Sequence, residues 1–542
     1  MKSTVTKGKI LIVYIIIFNS LITLAQTPNL SLHITTDTTW AADTLEIIGN
    51  VLIDSNVTLT VMPGAFIHIL GYYSITSYGT IKAIGTATDS ITFTHLDTYL
   101  HNDTSTTAGG WHGIRLLPRS SPDTSFFKYC KITNGKAVVP GSWIPDWDKP
   151  ENMGGNIFGH DFGNLVIKNS YIGNGRVKSD GGGIYLKKGT YVSVVNNHFE
   201  FNHAYGVHGG GACIRDVDSL YVRNNLFNHN TAYYNLPGYS AGGTGGGIAV
   251  LFGIGYSAYA LIENNRFFNN KTGSGVIYES YYNVDIVGNL ICNNYGVGIY
   301  NGHGFNHPFY SNNTIVNNLT GFLAGALTIN SNYVTLLNNI FRSNYFMPNY
   351  LTEQIHLTIL VTTPPTVNFC NVQLGFEGEG NIDADALFVN PTESHGLEYD
   401  GLLADWSLQD NSPCINSGTP DTTGLFLPDL DLDGNPRIFG NRIDMGAYEN
   451  QHVWVKINDS PAFADQTKVY PNPGTDRIMV ALPENTQETW IELLDGTGQR
   501  VLLESVHANL CIFTPTHLPS GIYFYRIYNQ NQVFKKGKWV KL

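Results

Sequence analysis

Lys187 and Arg215 stand at matching places in two glycine-led runs, GGIYLKK (182–188) and GACIRD (211–216), with Asp216 and Asp218 beside the second and Asp180 ahead of the first. A β-elimination needs a base to take the proton beside a uronate and a cation to neutralise its carboxylate. Lys187 or Arg215 with Asp216 and an Asp-bound calcium ion would form such a set, although an outward Lys/Arg pair is also ordinary solvated surface. A second group is suited to binding rather than turnover. Trp143, Asp146, Trp147 and Asp148 lie in 136–154, His203, Tyr205 and His208 in 203–210, and Tyr233, Tyr234 and Tyr239 in 231–246. Rings stack on sugar faces, and carboxylates bond hydroxyls or hold calcium, so these residues are expected to bind polysaccharide; the bland alternative is rings that pack their loops onto a sheet. A third group, Asp429, Asp431 and Asp433, has the Asp-x-Asp-x-Asp-Gly form that opens a calcium loop. An EF-hand would place Glu at the twelfth position, where Gly440 stands, so a turn held by Asp–backbone bonds competes with calcium, the one cofactor the sequence suggests. GYSAG (238–242) has nucleophile-elbow spacing but sits in a Gly/Tyr loop with no helix after it. It is a decoy.

These groups must be positioned by a repeat. VVNNHFEFN (194–202) returns as YVRNNLFNHN, LIENNRFFNN, DIVGNLICNN, FYSNNTIVNN and TLLNNIFRSN. One asparagine column reads Asn169, Asn197, Asn225, Asn265, Asn289, Asn313 and Asn339. Five places on stand Asn174, Asn202, Asn230, Asn270, Asn294, Asn318 and Asn344, and between the columns come Tyr171, Phe199, Phe227, Phe267, Ile291, Ile315 and Phe341. A glycine precedes most copies by fourteen residues: Gly155, Gly183, Gly211, Gly275 and Gly325, with Gly247 and Gly298 displaced. The residues before each asparagine alternate, Val192 and Val194 against Ser193 and Val195, which marks a strand with one buried face. Three short strands per copy, with no helical period, predict a coil whose turns stack as parallel sheets. Asparagine tolerates the left-handed backbone of a sharp bend, and once buried its amide finds donor and acceptor in an identical amide on the next turn. The columns are therefore expected to be ladders, and the loops at 136–154, 175–182, 203–210 and 231–246, which all follow the second ladder, are expected to leave from one corner.

The flanks differ. Lys2, Lys7 and Lys9 precede ILIVYIIIF and SLITLA, a pattern that reads as a secretory signal peptide over 1–25, with an uncleaved anchor as the alternative. Residues 26–466 hold 20 basic and 37 acidic groups, a net of −17, which argues against nucleic acid as a partner. Six cysteines, at 130, 213, 292, 370, 414 and 511, are too scattered for a disulfide scaffold or a zinc site.

VLIDSNVTLTVMPGAFIHI, GTIKAIGTATDSITFTHL and GGWHGI (109–114) resemble the N-terminal turns of bacterial extracellular right-handed parallel β-helix proteins of the pectate-lyase-like superfamily, and KYCKITNG (128–135) already fits the repeat with Cys130 and Ile132 in its columns. GNIDADALFVNP, WSLQDNSPCINSG and DLDLDGNPRIFGNRIDMGAYE resemble closing turns of the same broad family. VYPNP, IELLDGTGQRV, LPSGIYFYRI and KKGKWVKL, in order at the chain end, resemble the C-terminal sorting domain of type IX secretion. That resemblance implies export across an outer membrane, the secretion machinery as a partner of 467–542, and then release or attachment at the surface. The expected chain is all-β: a right-handed parallel β-helix of three short sheets with Asn ladders, then a small C-terminal β-sandwich. Its parts are a signal peptide (1–25), a cap and first turns (26–135), regular repeats (136–345), closing turns (346–450), a linker (451–466) and the sorting domain (467–542). A hydrolase of the polygalacturonase type would carry Asn-x-Asp, Asp-Asp, Gly-His-Gly and Arg-x-Lys in order, and only GHG (302–304) is present. The expected function is therefore a secreted or surface protein that binds extracellular polysaccharide through its aromatic loop edge, a non-catalytic adhesin or glycan-binding rod; the alternative is a calcium-dependent lyase acting on uronate-containing glycans.

Overall fold

The computed structural model describes residues 29–30, 32–41, 43–119, 122–141, 149–233, 242–253, 258–280, 283–302, 307–321, 325–347, 350–351, 353–452, 467–482, 489–506, 508–529 and 533–542. The proposed signal peptide, Trp143, Asp146, Trp147, Asp148, Tyr234 and Tyr239 lie outside them. Among the described residues no helix is long and apolar enough to cross a membrane. Two compact units divide the chain, 1–451 and 452–542.

The first unit is a right-handed parallel β-helix. Alternation along the strands puts Val192, Val194, Leu220, Val222, Ala260 and Ile262 inside, all fully or almost fully buried, because successive strand residues face opposite ways. A first sheet of 13 strands is built from pieces of about three residues, such as His198–Glu200, Leu226–Asn228 and Arg266–Phe268. A second sheet carries the glycine-led runs, including Ala212–Arg215 and Ile248–Leu251. A third carries the alternating runs, including Ser219–Arg223 and Tyr259–Glu263. Ile157–Lys168 and Ile184–Val195 run unbroken from the second into the third, which joins those faces into one hydrogen-bonded sheet of 29 strands. A column of two-residue strands, Arg176–Val177, His203–Ala204 and Thr231–Ala232 among them, belongs to the same sheet and lines the corner after the second ladder. Every described strand pair in the coil is parallel except 345–346 with 350–351. Inside, Phe199, Phe227 and Phe267 stack at 4.7 and 4.8 Å with their planes nearly parallel. Gly247 admits that stack, since a Cβ there would lie 2.5 Å from the Phe267 ring.

The asparagines divide two tasks, bend and ladder, between neighbouring residues, where the sequence pattern predicts one residue for both. The second member of each doublet is the ladder: the amides of Asn197, Asn225, Asn265, Asn289 and Asn313 donate to the next side chain at 2.9–3.0 Å, ending at Asn339. Asn202, Asn230, Asn270, Asn294, Asn318 and Asn344 form the other at 2.9–3.1 Å. The left-handed bend falls one residue earlier, on Asn196, Asn224, Asn264, Asn312 and Asn338 in one row and on Phe201, His229, Asn269, Asn293 and Asn317 in the other, with φ of 52–57°. One backbone group carries the turn and its neighbour carries the buried amide. The 169–174 copy is accordingly shifted. Asn169 and Asn174 occupy bend positions, the ladder place is held by Ser170, whose hydroxyl accepts from Cys130 N at 3.0 Å, and Ile172 rather than Tyr171 pairs with Phe199. A hydroxyl does the amide's work there.

Strands 355–357, 366–368 and 371–372 complete the stack. Beyond a parallel bridge between Asn371 and Ile382, residues 376–450 add no further coil. They fold back over the outside of the first sheet, where Trp406, Leu408, Leu432, Met445, Ala447 and Tyr448 bury the outward side chains Phe268, Leu290, Cys292, Val316 and Ile340. Outward bend asparagines pin this overlay: Asn264 donates to Leu430 O at 2.8 Å, Asn293 to Ser394 O at 3.1 Å, Asn312 to Asp444 O at 3.0 Å and Asn317 to the Thr392 hydroxyl at 2.9 Å. All six cysteines are unpaired, five of them buried.

The second unit is a pair of antiparallel sheets. One holds 468–470, 478–481 and 510–513; the other holds 489–494, 500–506, 521–528 and 533–541. Tyr523, Tyr525 and Ile527 turn inward onto Ile491, Leu493 and Trp539, while Ile522 and Phe524 face out.

Candidate functional site

The two-residue strands place one outward side chain per turn on the corner. Arg176, His203, Thr231, Lys271 and Tyr295 occupy that position on five successive turns, about 4.8 Å apart. His203 and Tyr205 stack at 3.9 Å and 12°. Lys271 Nζ sits 4.5 Å from the Tyr233 ring and 5.8 Å from that of Tyr295, and those two rings meet edge to face at 6.1 Å. Arg176 donates to Asn102 Oδ1 at 2.9 Å and to the Phe201 carbonyl. Neither Arg176 nor Lys271 pairs with a carboxylate among the described residues. Burial, then the nearby Arg176 and Lys271, lower His203 to about 3, against the Tyr233 carbonyl, so it is a neutral ring at pH 7. His203, Tyr205 and Tyr233 thus share one surface with two cations that the sequence reading, attentive to rings and carboxylates, had passed over.

His208 lies elsewhere. Its Nδ1 is 2.6 Å from the Thr244 hydroxyl and its ring 6.0 Å from Tyr278, outside the second sheet. Burial lowers its basicity, with Asp180 opposing. Asp180 is buried and accepts the backbone N–H groups of Val207 and His208 at 3.2 and 2.9 Å. Arg215 approaches it at 4.0 Å, and Lys187 pairs with Arg215 in the strand register. Asp216, at a φ of 52°, accepts the Gly253 N–H at 2.7 Å. Its carboxylate therefore serves the backbone of a bend. The Asp-x-Asp-x-Asp-Gly turn behaves similarly. Asp431 accepts from the N–H groups of Asp433, Asn435 and Glu449 at 2.8–2.9 Å, and Asp433 faces Arg266 at 3.5 Å. Among the described residues no three His, Cys, Asp or Glu side chains gather to hold a metal ion.

A further surface lies apart from all of these groups. Where the overlay stops, the outer face of the first sheet is open, and a groove of about 490 Å³ runs along Asn169, Asn196 and Asn224 on one side and Tyr171, His198 and Leu226 on the other, ending at Arg266. Tyr171 and His198 meet edge to face at 5.2 Å. Glu200 takes the Tyr171 hydroxyl at 3.1 Å and the Asn228 amide at 2.9 Å. Burial, with Glu200 adding to it, raises the Tyr171 phenol, and burial lowers His198 while Glu200 opposes. The signal was available: these are the outward neighbours of the apolar column.

Two family models match the chain. Residues 112–347 match the right-handed beta helix region and residues 468–541 the secretion system C-terminal sorting domain. No curated protein matches the chain. The sorting domain marks export by type IX secretion and a secreted or cell-surface location.

Proposed function

We propose that this chain, a right-handed β-helix protein carrying a type IX secretion sorting domain, is a non-catalytic rod that binds extracellular polysaccharide through its ring-and-cation corner. One observation carries the reading: stacked rings and two carboxylate-free cations recur in register along the corner column. Rings offer apolar faces to pyranose C–H surfaces, and Arg and Lys beside them attract carboxylate or sulfate groups. With a net of −17 over residues 26–466, the rest of the surface repels an acidic polymer, which confines its contact to this corner. The ligand class is therefore an acidic glycan.

Affinity electrophoresis of the secreted protein in gels containing polygalacturonate or alginate tests this. The wild type is expected to be retarded, and R176Q/K271Q to weaken binding about tenfold, or roughly 1.4 kcal/mol, with less retardation as salt rises. Equal retardation of variant and wild type would remove the corner from the interaction. Unsaturated uronate absorbance in the same mixtures would replace the rod with a lyase.

A further inference from the structure

The bend rows pass beneath the overlay and emerge from it unchanged in backbone. Under the overlay, Asn264, Asn293, Asn312 and Asn317 use their outward amides on the covering chain. In the open turns Asn169, Asn196 and Asn224 have the same left-handed backbone and make no side-chain hydrogen bond to any described residue. Their amides line the groove.

The centre of the face changes chemistry at the same boundary. Beneath the overlay it is Leu290, Cys292, Val316 and Ile340; in the open turns it is Tyr171, His198, Glu200 and Asn228, with Leu226 at the boundary packed against the overlay's edge. A second apolar polypeptide layer would leave that polar set buried and partly unpaired, which is costly. Water or a hydroxyl-rich ligand satisfies it. The one cation that lines the groove, Arg266, is committed to the Leu432 carbonyl and to Asp433, and no carboxylate lines it: Glu200 lies beside it, held by the Tyr171 hydroxyl and the Asn228 amide and 3.6 Å from His198 Nε2. Each open asparagine offers one acceptor and two donors, which suits a hydroxyl that must both give and receive, and the Tyr171–His198 ring pair supplies an apolar wall.

From these observations we infer that the open groove is a saccharide site for a neutral, hydroxyl-rich oligosaccharide, separate from the corner and different from it in charge preference. Three rises of the coil separate Ser170 from Arg266, about 14 Å, room for a short run of sugar residues laid across the turns. The inference shares only its ligand class with the polysaccharide reading. A heteroglycan with acidic and neutral units would engage both surfaces.

Isothermal titration of the full chain with manno-, xylo-, cello- and malto-oligosaccharides provides the test, using N196G/N224G. Glycine keeps the left-handed backbone while deleting the amides, so the thermal midpoint should hold. At least one neutral series is expected to bind the wild type and to lose about tenfold or more in the variant, while polygalacturonate retardation is unchanged. R176Q/K271Q should show the reverse pattern, so failure of the corner and failure of the groove are read separately. Absence of neutral binding at millimolar sugar, or equal binding by variant and wild type, overturns the inference. So does selective loss of binding to reduced, carboxymethylated α-lactalbumin, which would make the groove a peptide site.

Discussion

The outer face of the first sheet is used in two ways by turns of the same design. From Asn265 to Asn339 it is apolar in the centre and sealed by residues 376–450; from Ser170 to Asn225 it is polar and open. Ladder, bend angle and interior stack continue through both halves. The fate of the face is therefore set by its outward residues, the two of each three-residue strand and the second bend row, which changes from Phe201 and His229 to Asn269, Asn293 and Asn317, and not by the lumen or the ladders. A stacked coil separates stability from recognition: the lumen and ladders hold each turn to its neighbours, which leaves the outside free to carry either a lid or a ligand.

The difference can be attacked first where it is held. Trp406 is buried against the covered strands, meets Phe388 edge to face and donates to Gly401 O at 3.3 Å. W406A should cost about 3–5 kcal/mol, read by urea unfolding. It should also make Cys292, buried beneath the overlay, reactive toward a thiol reagent while Cys130 in the lumen stays protected. If Cys292 remains as slow as in the wild type, the overlay is held by its asparagine bonds and not by the apolar centre.

The comparison also needs a lumen that does not change with conditions, and Glu279 shows that it does. Glu279 points inward beneath the covered half, where the Tyr310 hydroxyl donates to it at 2.6 Å and the Asn301 amide donates to the same oxygen. Burial raises its carboxyl from 4.5 to about 7. The native state then holds the proton more tightly than the unfolded chain does. Its stabilising contribution is complete below about pH 4.5 and is lost as pH rises through 7, a change of about 3 kcal/mol. Unfolding free energies from urea titration at pH 5 and pH 7.5, a window that spans most of that change, should differ by about 2.4 kcal/mol more in the wild type than in E279Q. Parallel profiles would mean that the carboxyl ionises in place without penalty.

Much of the coil was legible because a buried amide must be paired, so a recurring Asn–apolar–Asn spacing has few physical explanations. Register was less legible. Asn169 fits the first column by letter, yet Ser170 supplies the ladder atom, and a one-residue shift in a doublet leaves no mark in composition. The overlay was read as closing turns because its sequence carries short strand-like runs. The informative sign lay in the covered strands: LIC (290–292) and TIV (314–316) are buried on both faces, and loss of alternation means that both sides have partners. At the corner, His203, Tyr205 and Tyr233 were visible as rings. Arg176 and Lys271 were not, because only the stacking of turns brings residues about a hundred positions apart in the chain onto one surface.

The finest break is within the doublets. Asn225 accepts from Asn197 N and Nδ2 at 2.8 and 3.0 Å and donates to Val194 O and Asn265 Oδ1 at 2.9 Å, so N225A strands buried groups on both adjacent turns and should cost about 3 kcal/mol. In N312G, on the covered bend row, the bonds Asn312 donates to Asp444 O and Gly446 O and the one it accepts from Asn338 Nδ2 are lost, which should cost about 1–2 kcal/mol. Asn224 is exposed at a φ of 54° with no bond to lose, and N224G should move stability by less than about 0.5 kcal/mol. All three are asparagines of the same repeat, so composition and propensity predict no such order; it follows only from which side of the wall each amide faces and whether the overlay is there to receive it. Chemical denaturation of the three variants would show it directly. A loss in N224G as large as that in N312G would mean that the open row already has an occupant or a structural duty, and the contrast between the two halves would have to be drawn elsewhere.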